Sequence, residues 1–210
     1  MLEDGSVISA IIEERKTHSP QRALLVGISG IDASGKGFIT QKLSERLRKD
    51  GWNVAVISAD DWLNLPKVCM NSKNYAEHFY EHAIRFDEMF EQLIIPLKRN
   101  RHISLTADCA DAKATSYRTQ SYDFHEIDIV LLEGIFLFKP AYRDQFDPAV
   151  WIDCSFEAAL ERAMKRGQEG LPPTETIRAF ETIYFPAQRI HLGRDNPRET
   201  ADYIVVNDNL

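Results

Sequence analysis

The feature that most constrains this chain is a glycine-rich stretch between an apolar run and a helical pattern. Its residues are Gly30, Ile31, Asp32, Ala33, Ser34, Gly35, Lys36, Gly37 and Phe38. Residues 23–28 predict a buried strand, and residues 38–48 have apolar side chains at helical spacing. A strand, a glycine-rich turn, a lysine and a helix are typical of a nucleotide site, because backbone N–H groups converge there on phosphate oxygens. We therefore expect the stretch to bind ATP, with Lys36 as a mobile cation for the outer phosphates.

The stretch departs from the usual phosphate-loop pattern at one position. That pattern has Ser or Thr directly after the lysine, because the hydroxyl binds Mg²⁺, whereas this chain has Gly37. Ser34 and Thr40 are close in sequence but do not occupy the required position. Phosphate binding is therefore expected, whereas metal binding has less support. A glycine-rich helix start with a chance lysine is the alternative without function.

The composition narrows the class of protein. The chain has 210 residues and a net charge of −7, which argues against binding to nucleic acid phosphates. We expect a small-molecule ligand instead, and a homo-oligomer stays open. Cys69, Cys109 and Cys154 form no C-x-x-C pair, which predicts neither a disulfide framework nor a zinc site and fits a cytoplasmic setting. The N-terminus has no signal-peptide pattern, and the apolar runs are too short to cross a membrane.

Strand-like and helical segments alternate along the chain. Further strands are predicted at residues 54–58, 102–106, 127–132, 149–153 and 201–206. The alternation indicates an α/β protein with the P-loop NTPase fold, in which helices flank a parallel sheet of about five strands. We expect residues 23–210 to form one domain with a helical substrate insert and a lid at about residues 160–175. A helix at residues 7–16, within the N-terminal segment 1–22, is expected to pack on this core.

Three carboxylate side chains lie within three residues after the ends of predicted strands. Asp60 and Asp61 come after the strand at residues 54–58, and Glu133 follows the strand at residues 127–132. The ligand crevice of an open α/β sheet lies at the carboxyl ends of its strands, so these side chains are candidates for phosphoryl-transfer chemistry. Asp60 is the first candidate for orienting an attacking hydroxyl and Asp61 the second, with a helix cap or solvated acid as the alternative for Asp60. A buried Glu133 requires a partner such as a metal ion or the loop lysine.

Several further segments, taken in order, make the chain similar to one known family. They are Ser58-Ala59-Asp60-Asp61-Trp62, Phe86-Asp87, Leu132-Glu133-Gly134-Ile135, the basic residues 162–166, Pro186-Ala187 and Ala201-Asp202-Tyr203-Ile204-Val205. With the glycine-rich loop, their order and spacing resemble the uridine kinase and phosphoribulokinase group of P-loop kinases. The resemblance covers residues 23–206 and implies an ATP-dependent small-molecule kinase that uses Mg²⁺.

The resemblance implies a role for each matching side chain. Asp60 matches the carboxylate that accepts the proton of the attacking hydroxyl and, with Glu133, is a candidate ligand of Mg²⁺. Lys36 and the loop backbone hold phosphates in this family. Arg162 and Arg166 resemble lid arginines that close over the transferring phosphoryl group, with a solvated basic helix face as the alternative. The end of the last strand lies where such enzymes hold the adenine.

The acceptor pocket is where the resemblance fails. Uridine kinases have an acidic residue three positions before the aspartate that matches Asp87, whereas this chain has Ile84. Their pyrimidine-contacting Tyr-Asp-Phe segment corresponds in position to Ala110 and Asp111. The expected acceptor is therefore a nucleoside, a sugar or a related metabolite. Candidate contacts with the acceptor are Asp61, His82, Arg85 and Asp111.

A second hypothesis follows from Gly37. A nucleotide-binding sensor or regulatory protein with little transfer activity would not need the missing hydroxyl. The presence of Asp60 and Glu133 favours the kinase, because a protein that only binds nucleotide has no need of both carboxylates.

Overall fold

A parallel sheet lies at the centre of the fold, in a computed structural model that describes residues 4–69, 73–111, 113–167 and 172–208. The strands are β1 (Leu24–Gly30), β2 (Val54–Ser58), β3 (Ile103–Cys109), β4 (Arg118–Phe124), β5 (Ile129–Gly134), β6 (Ala149–Asp153) and β7 (Tyr203–Val206). Within the described residues, five of them form a parallel sheet in the order β2-β5-β1-β6-β7, and β3 and β4 form a separate hairpin. The prediction of a parallel sheet of about five strands flanked by helices is confirmed.

Helices connect the strands. They are α1 (Asp4–Thr17), α2 (Lys36–Lys49), α3 (Pro66–Cys69), α4 (Tyr75–His82), α5 (Phe86–Met89), α6 (Ile95–Asn100), α7 (Pro140–Arg143), α8 (Phe156–Arg166), α9 (Pro173–Ala179) and α10 (Phe185–Asp195). A 3-10 turn (Ala59–Asp61) follows β2, and π-helical segments (Phe90–Ile94 and Phe180–Tyr184) join α5 to α6 and α9 to α10. Among the helices that the structure describes, none combines the length and the apolar character needed to span a bilayer.

The central strand β1 is buried on both faces, as is typical of a parallel strand with helices above and below it. Leu24, Val26 and Ile28 pack into an apolar layer that also contains residues of α1 and α2. Leu25 faces the opposite layer, which contains residues of α4, α6 and α10. The loop that follows β1 therefore leaves the sheet between two packed layers.

The N-terminal helix predicted at residues 7–16 is α1, which contacts α2 and β1. Val7 and Ile11 are fully buried against this layer. Near the end of the helix, the buried Arg15 forms an ion pair with Asp128, with 3.4 Å between Nη2 and Oδ1. Because Asp128 directly precedes β5, α1 is fixed at the amino ends of the strands, away from the edge that carries the glycine-rich loop.

Two prolines lie inside helical patterns, and the sequence predicts an interruption at Pro186 and a kink or an end at Pro96. A proline has no N–H to donate, and its ring crowds the carbonyl four residues earlier. Each π-helical segment ends two residues before one of these prolines. The wider π turn accommodates that carbonyl, so the chain stays helical from residue 173 to residue 195. The interruption predicted at Pro186 takes the form of this π-helical segment between α9 and α10.

The β3–β4 hairpin was only partly evident in the sequence, which predicts a strand at residues 102–106 and an irregular segment or small hairpin after it. In the structure, Ile103 pairs with Phe124 and Cys109 with Arg118 at the two ends of an antiparallel ladder. A parallel bridge between Trp62 and Ala110 connects the end of the hairpin to the segment after β2. The hairpin therefore lies beside the turn that carries the predicted catalytic aspartate.

Candidate active site

The loop between β1 and α2 has the strained backbone that its glycines permit. Gly35 has φ +92° and directly precedes α2, and Ala33 has φ 57°, so both lie in the left-handed region. A Cβ at Gly35 would collide with the side-chain amide of Asn207, which leaves room for glycine only. At Gly30 a Cβ would lie 2.7 Å from the carbonyl oxygen of Ile152. The ends of β6 and β7 thus fix the shape of the loop.

Lys36 is folded into this loop. Its side chain is 8% exposed, and its ammonium group donates a hydrogen bond to the carbonyl of Ile31 at 2.8 Å. It is also close enough to Asp32 and Glu133 for its charge to lower the pKa of both carboxyl groups. A cation therefore lies in the loop that would hold phosphates, and in this structure it is held by the Ile31 carbonyl.

Gly37 and Phe38 are exposed at the start of α2. A Cβ added at Gly37 would meet no atom of the described residues within 4 Å. The Phe38 ring, half of which is exposed, lies 4.5 Å from the ammonium group of Lys42. Packing among the described residues thus does not account for the missing hydroxyl at position 37.

Asp60 and Glu133 come from neighbouring strands of the sheet. Ser58 of β2 lies beside Glu133 of β5 in the parallel register, and its hydroxyl donates to Glu133 Oε1 at 2.6 Å. Burial raises the pKa of Glu133, and the charge of Lys36 opposes this effect. Asp60 is exposed in the 3-10 turn that follows β2, within electrostatic reach of Glu133. Two of the predicted carboxylates are therefore brought to the same edge of the sheet as the loop lysine.

Asp32 places a further carboxylate in the loop itself. Its Oδ2 accepts a hydrogen bond from Nε2 of Gln188, a fully buried residue of α10, at 3.1 Å. Burial raises the pKa of Asp32, the charge of Lys36 lowers it, and the charge of Asp60 raises it further. The sequence analysis assigns Asp32 only as one residue of the ATP-binding stretch.

Arg162 contacts the loop from the side of β7. Its guanidinium donates to the carbonyl oxygens of Ser34 at 3.3 Å and of Asn207 at 2.5 Å, and to the sulfur of Cys154 at 3.1 Å. The side-chain amide of Asn207 donates to the same Ser34 carbonyl at 2.7 Å. In this arrangement Arg162 links the loop to the end of the sheet, and its role over a transferring phosphoryl group stays a prediction.

The predicted lid, at about residues 160–175, includes the end of α8 and the beginning of α9. Its residues 168–171 lie outside the described residues. Arg166, the last residue of α8, is close enough to Asp32 for its charge to lower the pKa of that carboxyl group. The second predicted lid arginine is therefore within electrostatic reach of the loop.

The candidate acceptor side is formed by the turn after β2 and by the hairpin. Oδ2 of Asp61 accepts a hydrogen bond from Nε2 of Gln120 at 3.1 Å. Burial raises the pKa of Asp61, and Gln120 and Arg118 oppose this effect. The buried Trp62 stacks on Tyr122 of β4, with ring centroids 6.2 Å apart. Asp61 is thus held against the hairpin, and its contact with an acceptor stays a prediction.

Arg85 joins this group of residues. Its guanidinium lies 5.3 Å from the ring centroid of Trp62 and 4.7 Å from that of Tyr117. One of its terminal nitrogens donates to the backbone carbonyl of Asp108 in β3. Its buried Nε has no hydrogen-bond partner among the described residues. Arg85 therefore lies against the hairpin, close to the predicted acceptor side.

The two other candidate acceptor contacts lie in different surroundings. The half-exposed ring of His82 packs against His78, with centroids 4.4 Å apart. Asp111 is exposed after the end of β3, and its carboxylate accepts a hydrogen bond from the backbone N–H of Lys113 at 2.8 Å. Neither residue has a recorded contact with Asp60 or Lys36 in the part of the chain that the structure describes.

The sequence analysis did not identify Gln188. It named the end of β7 only as the expected adenine side and gave Asn207 no role in the loop. Gln188 is 156 residues from its partner Asp32, and Asn207 is 173 residues from Ser34. A single amide side chain has no characteristic spacing that would reveal such a contact. The one available signal was the position of Gln188 directly after Pro186-Ala187, a segment that resembles the family.

The sheet order and the lysine-bearing glycine loop after the central strand define a P-loop NTPase fold. A structure of a possible uridine kinase from Bacillus stearothermophilus has a TM-score of 0.70, with 21% identity, over 95% of this chain and 97% of that one. Its similarity confirms the fold.

The curated relatives are more specific. Uridine-cytidine kinase B from Dictyostelium discoideum is 24% identical over 180 residues, covering 84% of this chain and 72% of the relative. A uridine kinase from Alkaliphilus metalliredigens is 25% identical over 195 residues, covering 88% and 87%. No protein-family model matches the chain. The relatives confirm the resemblance to the uridine kinase and phosphoribulokinase group of P-loop kinases.

Proposed function

We propose that this chain is an ATP-dependent kinase that transfers the γ-phosphoryl group to a hydroxyl of a nucleoside, a sugar or a related metabolite. The observation that supports this most is the position of Asp60 and Glu133, at the ends of paired strands beside Lys36. Phosphoryl transfer needs positioning and charge neutralisation, with little covalent chemistry from the protein. A cation, a curled loop backbone and an exposed carboxylate together supply these requirements.

Each side chain has a defined task in this proposal. Asp60 accepts the proton of the acceptor hydroxyl. The oxygen of that hydroxyl bonds to the γ-phosphorus, while the bond between the γ-phosphorus and the β–γ bridging oxygen breaks. Lys36 exchanges the Ile31 carbonyl for phosphate oxygens. Arg162 and Arg166 supply positive charge from α8.

The carboxylates fit the divalent ion that accompanies ATP. Mg²⁺ prefers oxygen ligands and is commonly held by one or two carboxylates together with phosphate oxygens and water. Glu133 is partly buried, and a cation nearby stabilises its ionised form against the loss of hydration. Asp60 and Glu133 would therefore hold Mg²⁺, which neutralises phosphate charge when bound.

The acceptor would lie on the side formed by Asp61 and the hairpin. Asp61, held by Gln120, can accept a hydrogen bond from a second hydroxyl of the acceptor. Arg85 lies behind it, and His82 and Asp111 are more distant candidates. The uridine kinase relatives support a nucleoside, whereas Ile84, at the position of the family's acidic residue, favours a different acceptor.

The decisive experiment measures ADP release from MgATP by the purified protein in the presence of nucleosides, sugars and sugar phosphates. We expect one class of acceptor to stimulate ADP release, and Asp60→Asn to reduce that rate by at least about a hundredfold. Folding of Asp60→Asn is checked by circular dichroism. Acceptor-dependent ADP release at the wild-type rate in Asp60→Asn would contradict the assignment of the base.

A nucleotide sensor with little transfer activity is the second candidate, and Gly37 is the observation that favours it. Its expected signature is tight ATP binding without ADP release for every acceptor tested. The kinase is preferred because Asp60 is exposed beside the loop, where a proton acceptor for transfer would be needed.

A further inference from the structure

The phosphate loop combines a missing hydroxyl with an additional carboxylate. Gly37 stands where the common pattern places the hydroxyl that binds Mg²⁺, and a Cβ there would meet no described atom within 4 Å. The same loop contains Asp32, a carboxylate in the middle of a stretch whose backbone is shaped to receive anions. A negative side chain at that point requires an explanation.

The negative charges around Asp32 also oppose the binding of ATP. Asp32 and Glu133 both lie within electrostatic reach of Asp60 and of Lys36. Two acids therefore share one loop lysine, with Asp60 as a further negative charge near both and Arg166 as a further positive charge near Asp32. Like charges at close range repel strongly where water is partly excluded, and ATP would add several more negative charges. Binding of the polyphosphate is favourable here if a divalent cation enters with it.

The hydrogen bonding of Asp32 suits a metal ligand. Gln188, which is fully buried, donates to Oδ2 at 3.1 Å and fixes the carboxylate. Oδ1 has no recorded hydrogen-bond partner among the described residues. A carboxylate that is oriented through one oxygen and free at the other is a common arrangement around bound metals.

Carboxylates alone do not complete the coordination. In the described part of the chain, no three acidic, histidine or cysteine side chains lie close enough together to hold an ion. Mg²⁺ is usually bound in kinases by one or two carboxylates, with phosphate oxygens and water filling the other positions. The site therefore fits an ion that arrives with the nucleotide.

We propose that Asp32 is a ligand, direct or through one water, of the Mg²⁺ bound with ATP, and that it replaces the hydroxyl missing at Gly37. Gln188 is the positioning residue for this carboxylate. The inference rests on the proposed ATP site, but its test separates metal binding from nucleotide binding and from transfer.

Isothermal titration calorimetry measures ATP affinity in EDTA and in Mg²⁺ for wild type, Asp32→Asn, Gly37→Ser and the double variant. Asn is isosteric with Asp and keeps an acceptor for Gln188, so the fold is retained. We expect Mg²⁺ to tighten ATP binding to wild type by about tenfold or more, and Asp32→Asn to lose most of this gain. Metal-free ATP should bind Asp32→Asn more tightly than wild type, because a negative charge has been removed. In the double variant, the serine hydroxyl should restore the Mg²⁺ effect.

Electron paramagnetic resonance of Mn²⁺ gives an independent readout. Wild type with ATP should hold bound Mn²⁺, Asp32→Asn should release most of it, and Gln188→Met should show an intermediate loss. Asp50→Asn, which removes an acid at the end of α2, is the control for net charge and should behave as wild type.

Three results would overturn the inference. The first is a gain in ATP affinity from Mg²⁺ that is as large in Asp32→Asn as in wild type. The second is the absence of that gain in wild type. Metal-free ATP binding that is weaker in Asp32→Asn than in wild type would be the third such result, because loss of a negative charge should favour the anion. A wild-type protein that binds no ATP under either condition would overturn the proposed function as well.

Discussion

At the scale of single residues, Gly35 and Gly37 have opposite surroundings although they lie two positions apart. Gly35 needs a left-handed backbone and has the Asn207 amide where a side chain would begin. Gly37 is the second residue of α2, and a Cβ there would meet no described atom within 4 Å. The shape of the loop therefore requires glycine at position 35, whereas position 37 has room for the side chain of another residue.

This contrast predicts different effects of the same substitution. Gly35→Ala should destabilise the protein by about 1–2 kcal/mol from the backbone alone and should weaken ATP binding, because Asn207 must move. Gly37→Ala, the matched control, should leave stability within about 1 kcal/mol of wild type. Thermal unfolding and ATP titration measure both effects. Equal losses in the two variants would show that the loop is not shaped as described.

Lys139 is a partly buried cation outside the loop. Its ammonium group donates to the Tyr80 carbonyl at 2.6 Å and lies 4.1 Å from the centroid of the Tyr80 ring. Burial lowers the pKa of Lys139 to about 8, although Asp195 and Glu81 oppose this. In the unfolded chain the pKa of a lysine is about 10.4. The folded state thus loses this proton at lower pH than the unfolded state.

The sign of the pH dependence follows from this difference. Between about pH 8 and pH 10.4 the unfolded chain binds more protons, so Lys139 makes the folded state relatively more stable as pH rises, by at most about 1.4 kcal/mol per pH unit. Urea unfolding should therefore show wild type gaining stability relative to Lys139→Met across this range. Lys49→Met, at an exposed site, is the control. A difference in unfolding free energy between wild type and Lys139→Met that stays constant with pH would contradict the prediction.

At the scale of elements, the sequence predicted best those segments whose pattern is local. The predicted bounds of β2 and β6 agree with the structure residue for residue, because apolar runs end there at polar residues. Asp60 and Glu133 were likewise found from their positions after strands. The strand order and the Asp32–Gln188 contact were not predictable, because they depend on residues more than a hundred positions apart.

Helix α1 allows a test of whether packing at the opposite edge of the sheet affects ATP binding. Ile11 is fully buried, and Ile11→Ala should cost about 2–4 kcal/mol of unfolding free energy through lost burial and the cavity that remains. ATP affinity at low temperature should not change, since α1 is fixed at the opposite edge of the sheet. Ser9→Ala, on the exposed side of the same helix, should shift the free energy by less than about 0.5 kcal/mol. A changed ATP affinity in folded Ile11→Ala would show coupling between the helix and the loop.

At the scale of the whole molecule, Asp147 joins segments from three parts of the chain. Its Oδ2 accepts from the backbone N–H of Leu25 at the start of β1, at 2.7 Å. Its Oδ1 accepts from Lys98 of α6 at 2.9 Å, and both side chains of this ion pair are largely buried. The central strand, the helical insert and the chain before β6 are thereby fixed to one another.

Asp147→Asn should therefore be strongly destabilising. Removing one partner of a buried ion pair leaves the Lys98 charge uncompensated, at a cost of about 3–5 kcal/mol. The control is Asp50→Asn, which breaks an exposed pair with Arg46 and should cost no more than about 1 kcal/mol. Urea unfolding compares the two variants. Similar free energies for both would contradict the role given to Asp147.

The sheet order also has a consequence for how the chain is made. Strand β1 is synthesised before both of its neighbours, β5 and β6, and Ser29 of β1 donates to Gly134, 105 residues later. Until β5 has been synthesised, β1 and its glycine loop have no partner strand in this sheet. Pairing of strands so distant in sequence is slow, and an unpaired apolar strand is prone to association. The nascent chain must therefore keep this fully buried strand protected until β5 has been synthesised.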